Sequence, residues 1–166
     1  MIIQTYQSKL VLKILKEGKV YRAKPNLSLR GEYEAMIDLL HLHCECPIFG
    51  VVKGKRQNTG GKVSGAVRLT LNVPDKYVHL TEYAVWADFL YAYKFTLPGN
   101  FRSLRPDCEE VSVRQYHEIL ENLREQRPLS GYQCPQVILE KIDPKWLKSV
   151  KVMGKGNFLS RLFRKR

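Results

Sequence analysis

The stretch that most constrains the fold lies near the end of the chain, where two short apolar runs flank a proline. The first run covers 136–140, Asp143 and Pro144 follow, and the second run covers 146–152. Because proline favours turns and cannot donate to a sheet ladder, this order predicts two short strands joined by a turn. Upstream, 67–73 alternates Val and Leu with Arg, Thr and Asn, the period of a half-buried strand. A β-sheet is therefore a central element of the fold.

Other stretches carry apolar residues at helical spacing. Four helices are expected, at about 8–18, 31–44, 82–94 and 112–126. Ser8 suits the N-cap of the first helix, and Gly18 suits its C-terminal end. Additional strands are expected at 2–6, 19–23, 46–52 and 77–80.

The length and composition indicate how these elements are combined. A chain of 166 residues with 44% hydrophobic residues is long enough to bury one core and too short for two. We therefore predict a single α+β domain over residues 1–153, with a mixed, mostly antiparallel sheet and about four helices. Residues 154–166 are predicted to form a basic, flexible tail.

Basic residues outnumber acidic ones by 28 to 16, which gives a net charge of +12. Such an excess attracts polyanions. The candidate nucleic-acid contacts lie in a glycine-containing loop and in the tail: Lys53, Lys55, Arg56, Lys62, Arg161 and Arg164. The loop lacks the residue order of a P-loop. Two other interpretations stay open, a solvated charged surface and, for the tail, an amphipathic segment that suits a membrane surface or a partner groove.

The expected compartment determines the expected state of the cysteines. No signal-peptide pattern opens the chain and no apolar run approaches the ~18 residues of a membrane span, so a cytoplasmic location is expected. The four cysteines are then expected to be reduced thiols: Cys44, Cys46, Cys108 and Cys134. The spacing around the first two does not fit a structural zinc site, and no metal site is expected.

Four stretches in a fixed order resemble an uncharacterised family of bacterial and phage proteins known only as a domain of unknown function. They are 5–8, 33–49, 67–86 and 136–150. The resemblance extends over residues 1–152. At the level of fold, that family is similar in turn to ADP-ribosyltransferases, in which a catalytic glutamate stands at the head of a late strand.

This resemblance implies a site for NAD or a related nucleotide. Tyr6 and Gln7 stand where the first strand of ADP-ribosyltransferases holds the ribose, and Thr81 stands beside the nicotinamide. Gln136 takes the position of the catalytic glutamate. A carboxylate at that position stabilises the positive charge that develops on the ribose carbon, whereas a neutral amide does not. If the register differs by a few residues, Glu140 or Glu82 supplies the acid instead.

Simpler interpretations stay open for the same residues. Gln136 fits a polar residue at a strand edge, and Thr81 fits an N-cap of the helix that follows it. Two function classes remain. One is an ADP-ribosyltransferase-like protein, with or without activity, that binds NAD or a nucleotide and acts on nucleic acid or a protein. The other is a non-enzymatic basic accessory protein of a phage or mobile element that binds nucleic acid or a host protein.

Overall fold

Six strands form one sheet in which every neighbouring pair is antiparallel, in the order β4-β5-β2-β1-β3-β6. The computed structural model describes residues 1–25, 30–55, 66–95 and 113–153. The strands are β1 Ile2–Gln7, β2 Ile48–Val52, β3 Val67–Asn72, β4 His79–Glu82, β5 Pro135–Leu139 and β6 Leu147–Val152. β1 and β2 lie at the centre, and β4 and β6 are the outer strands.

In the described ranges, four helices cover the two faces of this sheet. They are α1 Lys9–Lys16, α2 Arg30–Leu40, α3 Tyr83–Phe95 and α4 Val113–Arg124. Successive residues of a strand point to opposite faces, and β5 shows this directly. Val137 and Leu139 pack in one core with α1, whereas Ile138 packs in the other with α2, α3 and α4. Each face of the sheet therefore has its own apolar core.

The predicted α+β class with four helices and a mostly antiparallel sheet is confirmed, although every strand pair proves antiparallel. The predicted strand at 19–23 is wrong. Only Tyr21 pairs there, as an isolated bridge with Ile142 in which both N–H···O distances are 2.9 Å. The side chains of Lys19 and Val20 are exposed and bury no strand face.

Two helices end in the same hydrogen-bonded motif. After α1, Gly18 adopts φ +74°, its N–H donates to the Leu15 carbonyl, and the next N–H donates to Ile14. After α2, His41 adopts φ +52° and is the C′ residue of the equivalent Schellman pair. The helix predicted at 31–44 therefore ends four residues early, because a left-handed residue stops it at Leu40.

The start of α1 is as expected, since the Ser8 hydroxyl accepts from the Val11 N–H at 3.4 Å. Within the part of the chain that the structure describes, no helix combines the length and the apolar character needed to cross a bilayer.

Candidate ligand-binding site

A cavity of about 360 Å³ lies on the sheet face that packs against α2 and α3. Its volume falls within the ~300–1,000 Å³ typical of small-molecule sites. Residues from three strands, two helices and the turn before β5 line it: Gln4, Thr5, Tyr6, Tyr33, Phe49, Gly50, Val51, Tyr83, Trp86, Leu90, Cys134, Pro135 and Gln136. We call it the sheet cavity.

Strand register explains why polar groups meet on the floor of the sheet cavity. Gln136 of β5 is opposite Val51 of β2, and Val51 is opposite Gln4 of β1. Residues directly opposite each other in neighbouring strands project from the same face. Two buried glutamines, at 7% and 8% exposure, are thus separated by one valine. The first strand and the strand that contains Gln136 share one cavity, although β2 lies between them.

Aromatic rings form the wall of the sheet cavity. Phe49 lies 5.8 Å from Tyr33 and 5.7 Å from Trp86, measured between ring centroids. Phe89, which is 1% exposed, stacks on Trp86 at 5.2 Å and fixes it to the helical core. Burial raises the pKa of the Tyr33 hydroxyl, with smaller contributions from Cys46 and Glu32, so the phenol stays protonated. Aromatic rings in a cavity wall offer faces on which a planar ligand can stack.

Two residues that line the sheet cavity each carry a buried polar atom without a hydrogen-bond partner among the described residues. The Gln136 side-chain oxygen Oε1 and the Tyr6 hydroxyl are both buried, and neither has a hydrogen-bond partner among the described residues. An unsatisfied buried polar group costs about 1–3 kcal/mol. Native structures leave few such groups, and each one requires an explanation.

The structure places the predicted nucleotide-binding residues on both faces of the sheet. Tyr6 and Gln136 line the sheet cavity. Thr81 is opposite Gln136 in β4 and is 1% exposed, and its hydroxyl has no partner among the described residues. It therefore does not cap α3. Gln7 is next to Tyr6 in β1 and points to the other face, where its amide donates to the Thr5 hydroxyl at 2.8 Å.

The two candidate acids both lie outside the lining of the sheet cavity. Glu140 follows the far end of β5, and its carboxylate accepts from the His43 N–H at 3.1 Å. Glu82 accepts from the N–H groups of Gln133 at 2.8 Å and Cys134 at 2.9 Å. None of the described lining residues is an Asp, Glu, Lys, Arg or His. The lining therefore offers hydrogen bonds and ring faces but no fixed negative charge.

Several lining residues were not singled out from the sequence. Gln4 is two residues before Tyr6, so the period of a strand places both on one face. Tyr83 and Trp86 are three residues apart on α3, which places them on one side of the helix. Tyr33 reaches the sheet cavity only because α2 packs beside β2, and no local pattern indicates this.

The predicted nucleic-acid contacts are only partly described. Lys53 and Lys55 follow β2 and are exposed. Arg56, Lys62, Arg161 and Arg164 lie outside the described residues.

Tyr33 also lines a second cavity, of about 550 Å³. Glu34, Asp38 and Glu45 line it. Three acids in one cavity disfavour an anionic ligand such as a nucleotide. Cys44 also lines it, and burial, together with the charges of Glu140 and Cys46, raises the pKa of its thiol to about 11.

Within the described ranges, no group of three or more His, Cys, Asp or Glu side chains is placed to hold a metal ion.

Comparisons of the chain with protein-family models, with curated proteins and with solved structures gave no match.

Proposed function

We propose that the protein is an ADP-ribosyltransferase-like nucleotide-binding protein that holds NAD or a related nucleotide in the sheet cavity. The observation that carries the proposal is a pair of buried polar atoms, on the lining residues Tyr6 and Gln136, that have no hydrogen-bond partner among the described residues and belong to a cavity with an aromatic wall. A nicotinamide or purine ring offers a planar face to the rings and polar edge atoms to the amide and the hydroxyl. Tyr33 adds a further phenol beside them.

The proposed activity is binding without transfer of ADP-ribose. Cleavage of the nicotinamide bond develops positive charge on the ribose carbon, and a fixed anion beside that carbon lowers the barrier. Gln136 offers an amide instead, and Glu82 and Glu140 are engaged by backbone N–H groups elsewhere. Wild-type protein incubated with labelled NAD is therefore expected to bind it and to transfer no label to protein or nucleic acid.

The sharpest test uses the hydroxyl of Tyr6. In Tyr6→Phe the unpartnered hydroxyl is lost, so the ligand-free protein is expected to be as stable as wild type or more stable by about 1 kcal/mol. The same change is expected to weaken NAD binding by about three- to tenfold in calorimetric titration, because one hydrogen bond to the ligand is lost. A gain in stability together with a loss of affinity is typical of a binding residue.

Tyr132→Phe is the matched control. The Tyr132 hydroxyl is fully engaged, since it accepts from the Arg127 N–H at 3.0 Å and lies 3.2 Å from the Glu125 carbonyl. Its removal is expected to lower stability and leave NAD affinity unchanged. The proposal fails if neither NAD nor AMP binds the wild-type protein, or if Tyr6→Phe lowers stability as Tyr132→Phe does.

A second candidate function is binding of nucleic acid by the basic surface. It is favoured by the exposed bases after β2 and around the start of β6: Lys53, Lys55, Lys145 and Lys148. Together with the net charge of +12, they form a surface that attracts a phosphate backbone without reading sequence.

A further inference from the structure

The sheet face that forms the floor of the sheet cavity continues across β3 and β6, where its side chains are cationic and hydroxylic. We infer that Arg68 and Lys151 form a phosphate subsite next to the sheet cavity, which binds the phosphate group of the nucleotide. This inference rests on the proposed function and specifies which residues of the same sheet face recognise the phosphate of its ligand.

Register places the two cations in line with a residue that lines the sheet cavity. Tyr6 of β1 is opposite Arg68 of β3, and Arg68 is opposite Lys151 of β6. Opposite residues share one face, and neighbouring strands lie about 4.8 Å apart. The row Tyr6, Arg68, Lys151 therefore runs outward from the edge of the sheet cavity, and its first cation is one strand away from Tyr6.

Burial distinguishes Arg68 from an ordinary surface arginine. Its side chain is half-buried, and its Nε atom is buried without a hydrogen-bond partner among the described residues. The hydroxyl of Tyr6, the residue opposite Arg68 in β1, is also buried without a partner among the described residues. A guanidinium group forms a planar fork of donors that matches the oxygens of a phosphate. A guanidinium donor that has no acceptor among the described residues, one strand away from the lining of the sheet cavity, favours an anionic, oxygen-rich group at this place.

The neighbouring row supports an anionic group at the same place. Gln4 is opposite Thr70, and Thr70 is opposite Ser149, on the face shared with Arg68. These residues add two hydroxyls and an amide, which are common phosphate partners. Of the six residues in the two rows, two are basic and none is acidic. Lys151 is exposed on the outer strand β6, at the end of the row that is farthest from the sheet cavity. Its flexible ammonium group attracts a phosphate by charge and does not have to be held in one orientation.

The test uses ligand pairs that differ only by a phosphate. Calorimetric titration compares AMP with adenosine, and nicotinamide mononucleotide with nicotinamide riboside, at one fixed salt concentration. Wild-type protein is expected to prefer each phosphorylated ligand by about tenfold or more. Arg68→Met is expected to abolish the preference and to leave the affinity for adenosine unchanged.

Two further variants make the result decisive. Arg114→Met is the matched control, because Arg114 is exposed on α4 and pairs only with Glu118 in the described contacts, at 3.0 Å. It is expected to change neither affinity. Lys151→Met removes an exposed cation and is expected to reduce the preference severalfold, and it carries the test if Arg68→Met does not fold.

The possible outcomes separate this inference from the proposal beneath it. Equal binding of AMP and adenosine by wild-type protein overturns the phosphate subsite and leaves the sheet cavity as a nucleoside site. Failure of all four ligands to bind overturns the proposed function itself. If Arg68→Met weakens adenosine as much as AMP, or if Lys151→Met has no effect on the preference, the assignment of these cations is wrong.

Discussion

Glu82 fixes the segment of chain that leads into β5. Its carboxylate receives the N–H groups of Gln133 and Cys134, while the neighbouring Tyr83 N–H donates to the Cys134 carbonyl at 3.1 Å. Hydrogen bonds to an ionised acceptor are stronger than those between neutral groups. The turn that leads into β5, and with it the position of Gln136, therefore depends on a carboxylate that does not itself line the cavity.

Glu82→Gln is expected to destabilise the protein by about 1.5–3 kcal/mol, because one of the two carboxylate acceptors becomes a donor facing a backbone N–H. Urea denaturation monitored by circular dichroism measures the change. Glu121→Gln, at an exposed position on α4, is the matched control and is expected to stay within about 0.5 kcal/mol of wild type. Equal urea midpoints for the two variants would contradict the role assigned to Glu82.

Cys44 is expected to react slowly with alkylating reagents in the folded protein. Its pKa is raised to about 11, first by burial and then by the nearby charges of Glu140 and Cys46, and only the thiolate reacts. The rate of iodoacetamide labelling at Cys44, followed by peptide mass mapping, should rise about tenfold per pH unit from pH 8 to 10. In the urea-unfolded chain the rate should level off within that range. A plateau in the folded protein would show that the thiol titrates normally.

At the residue scale, the sequence could predict part of the lining of the sheet cavity. The resemblance singled out Tyr6 and Gln136, and both are lining residues. It also paired Tyr6 with Gln7, although adjacent residues of one strand point to opposite faces, and the period of the strand favours Gln4 instead. No local sequence pattern singles out Arg68 as a ligand-binding residue. Its position beside the sheet cavity depends on the pairing of β3 with β1, which brings it opposite Tyr6 although the two residues are 62 positions apart in the chain.

At the scale of elements, the ends of α1 and α2 differ in how well their residues suit the backbone. Gly18 adopts its positive φ without strain, whereas His41 adopts the same conformation with a side chain. The left-handed region costs a residue with a Cβ atom about 1 kcal/mol. A glycine at position 41 would remove that strain, although it also increases the entropy of the unfolded chain.

His41→Gly is therefore expected to raise the free energy of unfolding by about 0.5–1 kcal/mol, and Gly18→Ala is expected to lower it by a similar amount. Each change is a control for the other, because one removes a Cβ atom and the other adds one at equivalent positions of the same motif. Thermal unfolding of both variants measures the effect. A stabilising effect of Gly18→Ala would rule out strain as the explanation.

The same pair of helices shows what could be predicted about element boundaries. Glycine is the usual signal for a left-handed C-terminal residue, and Gly18 supplied it for α1. His41 carries no such signal, so apolar periodicity alone extended α2 beyond its end at Leu40. The strand predicted at 19–23 is wrong because local composition does not determine which segments pair. Its composition suits a strand, but pairing is limited to the single bridge between Tyr21 and Ile142.

For the molecule as a whole, pH links stability to a histidine on the outer strand β4. Burial lowers the pKa of His79, and the charge of Glu140 partly opposes this effect. The folded state then binds this proton less readily than the unfolded chain, whose histidine has a pKa near 6.5. Neutral His79 therefore contributes its full share to the free energy of unfolding above pH 6.5. This contribution is lost as the pH falls below 6.5, because the unfolded chain binds the proton more readily.

His79→Gln should remove this contribution. The difference in urea midpoint between wild type and the variant is expected to change between pH 7.5 and pH 5.5, with wild type losing more stability on acidification. His117→Gln, at an exposed position on α4, is the control and should follow the wild-type profile. Parallel profiles for wild type and His79→Gln would show that His79 titrates alike in both states.

The overall charge leads to a prediction that is independent of the sheet cavity. A net charge of +12 favours binding to any polyanion, and such binding weakens as salt rises because counterions are no longer released favourably. Mixed-sequence duplex DNA is expected to bind in a fluorescence-anisotropy assay at 50 mM salt and to be released steeply toward 200 mM. Saturating AMP should not displace it if the exposed bases, rather than the sheet cavity, hold the duplex.

The contribution of the C-terminal bases can be separated from that of the apolar residues between them. Residues 154–166 contain five basic residues and no acidic one. Replacing all five with glutamine is expected to reduce the slope of log affinity against log salt by up to about 4.5, since each phosphate contact contributes about 0.9. A matched variant replaces Phe158, Leu159, Leu162 and Phe163 with serine and keeps every charge. If that variant loses DNA binding while the glutamine variant keeps the wild-type slope, the segment acts through its apolar residues and electrostatic binding by the tail is excluded.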